Sequence, residues 1–176
     1  KGYQIKKNFN HKDLSFLLKN NEVIAVARDR EEFGARALGN RSIIANPSNF
    51  EVVQKINESI KNRDFWMPFA LTILKEKHKD YIHNKKNFEC NYMTMSFDTK
   101  KNNFNKIKAG CHPYDKTVRP QILDRVSNPN YYSIIKNFLN QTGIPALLNT
   151  SLNLHGNPVA SSLDNVIYTF KNSGLK

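Results

Sequence analysis

A short apolar run, Val23-Ile24-Ala25-Val26-Ala27, leads through a few polar residues into Glu32-Phe33-Gly34-Ala35-Arg36-Ala37-Leu38-Gly39-Asn40-Arg41-Ser42-Ile43. This junction constrains the fold more than any other segment. It predicts a strand that ends in a glycine-bearing turn. Glycine allows positive φ or a close approach of backbone to a ligand. Arginine presents a planar fork of donors that matches carboxylate and phosphate oxygens. The segment therefore reads as a cradle for a small anion, or as a turn carrying two solvated arginines. Taken alone it does not choose between them.

The distribution of cations adds to this. Of 27 Lys and Arg residues, the arginines are Arg28, Arg30, Arg36, Arg41, Arg63, Arg119 and Arg125. The first four lie between positions 28 and 41. The lysines are spread along the chain, as at Lys6-Lys7, Lys75, Lys77, Lys79, Lys85-Lys86 and Lys100-Lys101, and many neighbour Asn. They read as a solvated surface. A net charge of +12 raises nucleic acid or an anionic small molecule as a partner. No zinc-finger spacing, Arg-rich tract or aromatic RNA-binding signature accompanies it, so nucleic acid is not expected. Cys90 and Cys111 fit no metal-site spacing and read as reduced thiols of a cytoplasmic protein. No apolar run reaches membrane-spanning length. Residues 1–176 are expected to form one domain, and a first residue Lys1 and last residues Gly174-Leu175-Lys176 suggest a piece of a longer protein.

Periodicity predicts a helix at 11–20, a strand at 22–28 and a short strand from Ser42 to Pro47. Ser48-x-x-Glu51 reads as a capping box opening a helix over 49–61, with Val52, Val53, Ile56 and Ile60 on its apolar side. Phe69–Leu74 reads as a buried strand, 75–83 as a short helix, and Tyr92–Phe97 as an alternating strand. The Lys/Asn-rich stretches 83–91 and 99–108 read as loops. Val118–Val126 is an expected strand. Asn128-Pro129 opens a helix ended by Gly143, Pro145–Leu148 is a strand, and Ser161-Ser162 caps a last helix with Leu163, Val166, Ile167 and Phe170 on one face. Strands and helices mix without a clean βαβ period. The expected class is α/β, with a mixed, twisted sheet and flanking helices.

Three further clusters follow apolar segments. In the first, Lys61-Asn62-Arg63-Asp64-Phe65-Trp66-Met67-Pro68-Phe69, the cations read as helix-end charges, or as anion ligands with Arg63 steadied by Asp64. The second runs from His112 to Gln121. His112 reads as structural, whereas Arg119 between Val118 and Pro120 is hard to explain as surface decoration. The third, Leu148-Asn149-Thr150-Ser151-Leu152-Asn153, places amides and hydroxyls at a strand end, either as an Asx/ST turn or to bind a small polar ligand. There is no acid–base pair, nucleophile elbow or Walker lysine loop. Cations and hydrogen-bond donors are the tools on offer, and they suit phosphoryl or nucleotidyl transfer, where positioning and charge stabilisation dominate.

The segment Glu32–Ser42 resembles the Glu-Phe-Gly-Pro-Arg-Ala-Leu-Gly-Asn-Arg-Ser signature of NodU/CmcH-type O-carbamoyltransferases. The remaining motifs agree in order: Ile56-Asn57 through Lys61-x-Arg63 and Pro68-Phe69-Ala70; Asp115-x-Thr117-x-Arg119-Pro120-Gln121; Asn128-Pro129-x-Tyr131-Tyr132; Thr142-Gly143-x-Pro145; and Leu147-Leu148-Asn149-Thr150-Ser151-x-Asn153. The likeness runs from about residue 22 to the end and concerns the C-terminal domain of such enzymes. Ala35 replaces the usual Pro, Met67 stands where many members carry Arg, and Lys116 replaces a Gly in a segment one residue longer than the common His-x-Asp-Gly-Thr form.

The resemblance implies a YrdC-like fold and a two-step reaction. The C-terminal domain uses ATP and carbamoyl phosphate to make carbamoyl adenylate and pyrophosphate, with Mg²⁺ carried by the nucleotide. The family's N-terminal domain, actin/sugar-kinase-like and holding Fe or a similar metal, then passes the carbamoyl group to an acceptor hydroxyl. No metal site is expected in this chain. Arg36, Lys61, Arg119 and Ser151 are the implied catalytic residues. Asn40, Arg41, Arg63, Asn149, Thr150 and Asn153 are the implied ligands of ATP and carbamoyl phosphate. The implied partners are small molecules and the chain's own N-terminal domain, in the cytoplasm and not at a membrane. The alternative is a nucleotide- or RNA-binding module of the same fold without activity of its own.

Overall fold

A computed structural model describes residues 10–64 and 66–175. Phe65 of the first further cluster, Lys6-Lys7 and Lys176 lie outside them. The chain opens with helix α1 (His11–Lys19). Asn10 caps it by accepting from the N–H groups of Lys12 and Asp13, while Asp13 accepts from the N–H of Asn10. Strands β1 (Ile24–Ala27) and β2 (Arg41–Ala45) follow as an antiparallel pair joined by the glycine-arginine loop. Helix α2 (Glu51–Ile56) continues into a wide π turn, Asn57–Lys61. Strand β3 (Ala70–Leu74), the two-residue strands β4 (Phe97–Asp98) and β5 (Thr117–Val118), and strand β6 (Pro120–Leu123) come next, with the short helix α3 (Phe104–Ile107) between β4 and β5. Helix α4 (Pro129–Thr142), strand β7 (Ala146–Ser151) and helix α5 (Leu163–Lys171) complete the order.

The five longer strands form one sheet in the order β1-β2-β7-β3-β6. Only β3 and β6 run parallel; the other neighbours are antiparallel. The expected mixed sheet is therefore present. Every residue of β2, β3 and β6 is buried, including the polar Arg41, Ser42, Thr72 and Gln121, as expected when both faces of a sheet are covered. Helices α1 and α4 pack on one another, and Ser15 donates to the carbonyl of Ile134 at 3.0 Å across their contact. Tyr131, Ile134, Ile135 and Phe138 of α4 are wholly buried beside Ile43, Leu71, Ile73 and Leu147 of the sheet.

Several local expectations need correction. Ser48 does not form a capping box: its N–H and hydroxyl both donate to Asn46, and Asn49 accepts from the Glu51 N–H, so the helix starts at Glu51. Tyr92–Phe97 is not a strand. Met93 sits at φ 56°, in the left-handed region that a continuous strand cannot contain, and only Phe97–Asp98 pairs, with Thr117–Val118. The 99–108 stretch is helical rather than a loop. Phe104 and Ile107 stand three residues apart and face the core, and Asn103 donates to the carbonyl of Asp80. The expected helix at 75–83 is a single 3₁₀ turn, His78–Asp80. The expected strand 118–126 ends at Leu123, where Asp124 turns the chain by accepting from Ser127, and Val126 is exposed. On α5, Leu163 and Ile167 face solvent; Val166 and Phe170 turn toward α1 and β1.

Candidate functional site: a cation-lined cleft

The glycine-arginine loop is built around Glu32. One of its carboxylate oxygens accepts from the N–H groups of Leu38 and Asn40, each at 2.7 Å, and of Arg41 at 3.2 Å. Gly39 lies at φ 116° against α4, where an added Cβ would stand 2.3 Å from Cδ1 of Tyr131. The loop is thus pinned from inside and from below. Two expected ligand residues serve this scaffold instead of the cleft. Arg41 donates to the carbonyls of Arg28, Asn40, Asp29 and Ser161. Asn40 donates to the carbonyl of Arg30 and accepts from Asn128. Arg36 is exposed and free of this scaffold.

The π turn delivers the next cation. A π turn widens a helix and is common at functional sites. Here it ends at Lys61, with Asn62 left-handed and its N–H on the carbonyl of Asn57 at 2.9 Å. Lys61 is 3% exposed. Its ammonium meets three acceptors: Asn153 Oδ1 at 2.6 Å, the Asn153 carbonyl at 3.2 Å and Ser151 Oγ at 3.2 Å. Ser151 also donates to Asn153 Oδ1 at 2.6 Å, and Asn153 is oriented by donating to the carbonyls of Leu154 and Asn157. Arg63 does not pair with Asp64. It donates to Thr150 Oγ1 at 3.2 Å and lies over the Phe69 ring, 4.9 Å from its centroid. Arg119 occupies the break between β5 and β6.

Arg36, Arg63 and Arg119 face one another across two adjoining hollows. One, of about 500 Å³, is lined in addition by Met67, Phe69, His112, Thr117 and His155. The other, of about 40 Å³, adds Asn149, Thr150 and Ser151. Among the described residues, no ion pair joins Arg36, Lys61, Arg63 or Arg119 to a carboxylate. The electrostatic cost is visible. Burial, then the nearby charge of Arg63, brings the Lys61 ammonium from 10.5 down to about 7. Burial lowers Arg63 as well, followed by the charges of Arg119 and Arg36; burial and then Arg36 lower Arg119. Like charges crowded without counter-charge favour an anion between them.

Of the ten residues expected at the site, the structure gathers Arg36, Lys61, Arg63, Arg119, Asn149, Thr150, Ser151 and Asn153, and places Asn40 and Arg41 behind them. Sequence reasoning missed His155. Its Nδ1 meets the Lys61 carbonyl at 2.6 Å, so the turn after β7 grips Lys61 by backbone and by side chain. Its place two residues beyond Asn153 was the available signal. His112, read as structural, lines the cleft next to Asp115.

A model of the family described as Carbamoyltransferase C-terminus matches residues 15–176. The chain belongs to this family. This carbamoyltransferase domain is 43% identical to an uncharacterized protein of Methanocaldococcus jannaschii, over 88% of this chain and 29% of that protein. It is 35% identical to the nodulation protein NolO of Bradyrhizobium diazoefficiens, over 90% of this chain and 29% of that protein. It is 29% identical to the 3'-hydroxymethylcephem-O-carbamoyltransferase of Amycolatopsis lactamdurans, over 94% of this chain and 31% of that enzyme. The carbamoyltransferase domain thus spans under a third of these relatives and corresponds to the C-terminal domain of NodU/CmcH-type transferases. Its fold resembles the phosphate- and nucleotide-bound crystal structure of full-length HypF, with a TM-score of 0.63 over 97% of this chain and 21% of that one at 13% identity. The likeness shows a YrdC-like fold.

Proposed function

We propose that this carbamoyltransferase domain binds ATP and carbamoyl phosphate in the cation-lined cleft and forms carbamoyl adenylate. The observation that carries the reading is the convergence of Arg36, Arg63 and Arg119 on one cleft, with Lys61 behind its Ser151 wall, all without a carboxylate partner among the described residues. ATP brings roughly four negative charges and carbamoyl phosphate about two, so their joint site needs several cations. Water cleaves carbamoyl phosphate to carbamate and inorganic phosphate. A carbamate oxygen then attacks the α-phosphorus of ATP, the bond from the α-phosphorus to the bridging oxygen breaks, and pyrophosphate leaves with that electron pair. No protein nucleophile is required. The guanidinium groups neutralise charge and align the reactants, and the walls of the cleft shield the adenylate from water.

Among the described residues, no group of three or more His, Cys, Asp or Glu is placed to hold a metal ion. A cationic donor set does not suit a bare cation, so Mg²⁺ is assigned to the nucleotide phosphates and no step is routed through it. Transfer of the carbamoyl group to an acceptor hydroxyl is assigned to the N-terminal part that the longer relatives carry. The setting proposed is cytoplasmic, in keeping with two buried, unpaired cysteines.

The test is pyrophosphate release by this chain from Mg-ATP, with and without carbamoyl phosphate. Release only when carbamoyl phosphate is present, with no acceptor carbamoylated, is the expected result. Tight binding to mixed RNA without ATP affinity or pyrophosphate would overturn the reading.

A further inference from the structure

Cleavage of carbamoyl phosphate by water sets a proton free, and the walls of the cleft limit what can take it. Among the described residues, neither hollow is lined by a carboxylate or a lysine. Guanidinium groups keep their protons in proteins, and the Ser and Thr hydroxyls are already neutral donors of very low basicity. Two lining side chains exchange a proton near neutral pH, His112 and His155, and both belong to the hollow of about 500 Å³.

Hydrogen bonds separate the two rings. His155 Nδ1 lies 2.6 Å from the carbonyl of Lys61. A carbonyl only accepts, so Nδ1 carries the hydrogen and Nε2 of the neutral ring is bare. Nε2 is then the one polar atom this ring has left to present to the hollow it lines. The ring is held in place as well, because the Lys61 ammonium grips Asn153, two residues before His155, at 2.6 Å. His112 differs. Its Nδ1 meets the N–H of Asp115 at 3.4 Å and the Asp115 carboxylate at 3.3 Å. The first contact asks for a bare nitrogen and the second for a protonated one, so no tautomer is imposed. Lys61 itself is enclosed by three acceptors and stands behind Ser151, outside the lining.

We propose that Nε2 of His155 is the general base for the cleavage of carbamoyl phosphate. This rests on the reading of the cleft as a carbamoyl phosphate site and adds the group that moves the proton. The guanidiniums hold the phosphoryl oxygens. The water oxygen bonds to phosphorus while Nε2 takes one of its protons. The bond from phosphorus to the carbamoyl oxygen breaks, and carbamate leaves with that electron pair, intact for attack on ATP. The phosphate departs as HPO₄²⁻, with the oxygen and second proton of the water, and the imidazolium returns its proton to solvent. The charged and titratable groups that share the hollow with His155 are Arg36, Arg63, Arg119 and His112, the last beside Asp115; Lys61 adjoins through its carbonyl. The arginines do not titrate in the working range, so an acid limb in the rate belongs to His155, His112 or Lys61, and a variant at His155 separates them.

The test is release of inorganic phosphate from carbamoyl phosphate, with Mg-ATP present and above the rate in buffer, by the 176-residue chain and by His155→Asn. The amide nitrogen of Asn stands where Nδ1 stands, so the variant keeps a donor for the Lys61 carbonyl and loses the basic nitrogen. His155 is exposed, so the change leaves the core alone. kcat should fall about 10²–10⁴-fold, with KM for carbamoyl phosphate held within about twofold. The parent should lose rate on the acid side between about pH 5 and 8, and His155→Asn should not show that limb. In H₂¹⁸O the label should enter the phosphate; this and the parent's acid limb need no variant to fold. An unchanged kcat in His155→Asn overturns the assignment, even if pyrophosphate is formed. An acid limb that survives in His155→Asn, or is missing from the parent, overturns it too, as does unlabelled phosphate. A raised KM at constant kcat does the same, since that marks a binding role. Phosphate release that His155→Asn abolishes, in a parent that forms no pyrophosphate, supports His155 and removes the adenylation step instead. A parent that releases no phosphate above the buffer rate overturns both.

Discussion

Lys61 concentrates the physics of the site in one side chain. It is buried, it neighbours Arg63, and its ammonium titrates near 7 instead of near 10.5. Between those values the unfolded chain holds a proton that the folded chain has released, so folding stability rises with pH across that window. An anion in the cleft acts in the opposite direction. It favours the charged ammonium and returns the group toward its ordinary value. Phosphate binding at pH 8 should therefore take up a fraction of a proton, and affinity should weaken as pH climbs from about 7. Calorimetry at pH 8 in buffers of different ionisation enthalpy measures the uptake directly. Binding without proton exchange would mean that Lys61 does not face the bound anion.

At the scale of elements, the cleft depends on a loop that owes little to its own hydrogen-bonding ladder. Glu32 gathers three N–H groups, Arg41 gathers four carbonyls, and Gly39 seats the loop on α4. Gly39→Ala combines a positive φ with a Cβ driven into the Tyr131 ring, and Tyr131 is fully buried and cannot swing away. The expected cost is about 2–4 kcal/mol of stability, read from the midpoint of urea denaturation at unchanged slope; an unchanged midpoint would mean that the loop does not bear on α4. The same elements mark what the sequence disclosed. Helices α4 and α5 carried both a capping residue and an apolar period, α1 was read from its apolar period, and β2, β3 and β7 were short apolar runs bounded by turns, so their positions were legible. The Ser48 capping box was not, because Asn46 competes for the same donors from outside the helix. The alternation of 92–97 misled, because period 2 says nothing about a left-handed residue such as Met93. The four site motifs were legible as residue types, since scarce arginines beside glycine, Ser and Asn are distinctive. Which of those residues face the cleft was not legible. Arg41 and Arg36 look equivalent in the sequence, and only the carbonyls that surround Arg41 separate them.

For the whole molecule, charge and shape point to different places. A larger hollow, of about 800 Å³, is lined by Lys77, Lys100, Lys101 and Lys106 together with Asp80 and Asp98, and shares no residue with the arginine cleft. Its lysines share the lining with two carboxylates. The smaller cleft is lined by three guanidiniums, with the buried Lys61 ammonium behind Ser151, and none of these cations is paired with a carboxylate among the described residues. The sheet order explains the convergence: β7 lies centrally between β2 and β3, so Asn149–Ser151 meets the loop before β2, the turn before β3 and, one strand further on, the start of β6. Cations without carboxylate partners are the ones left to neutralise a polyphosphate, and guanidiniums match its oxygens as forks. The central claim is that these four separated motifs form a single phosphate site. A crystal structure with a non-hydrolysable ATP analogue and Mg²⁺ tests it most directly. The triphosphate should lie between Arg36, Arg63 and Arg119, within hydrogen-bonding reach of Lys61 or Ser151; a triphosphate seated among Lys77, Lys100, Lys101 and Lys106, with the arginine cleft empty, would contradict it.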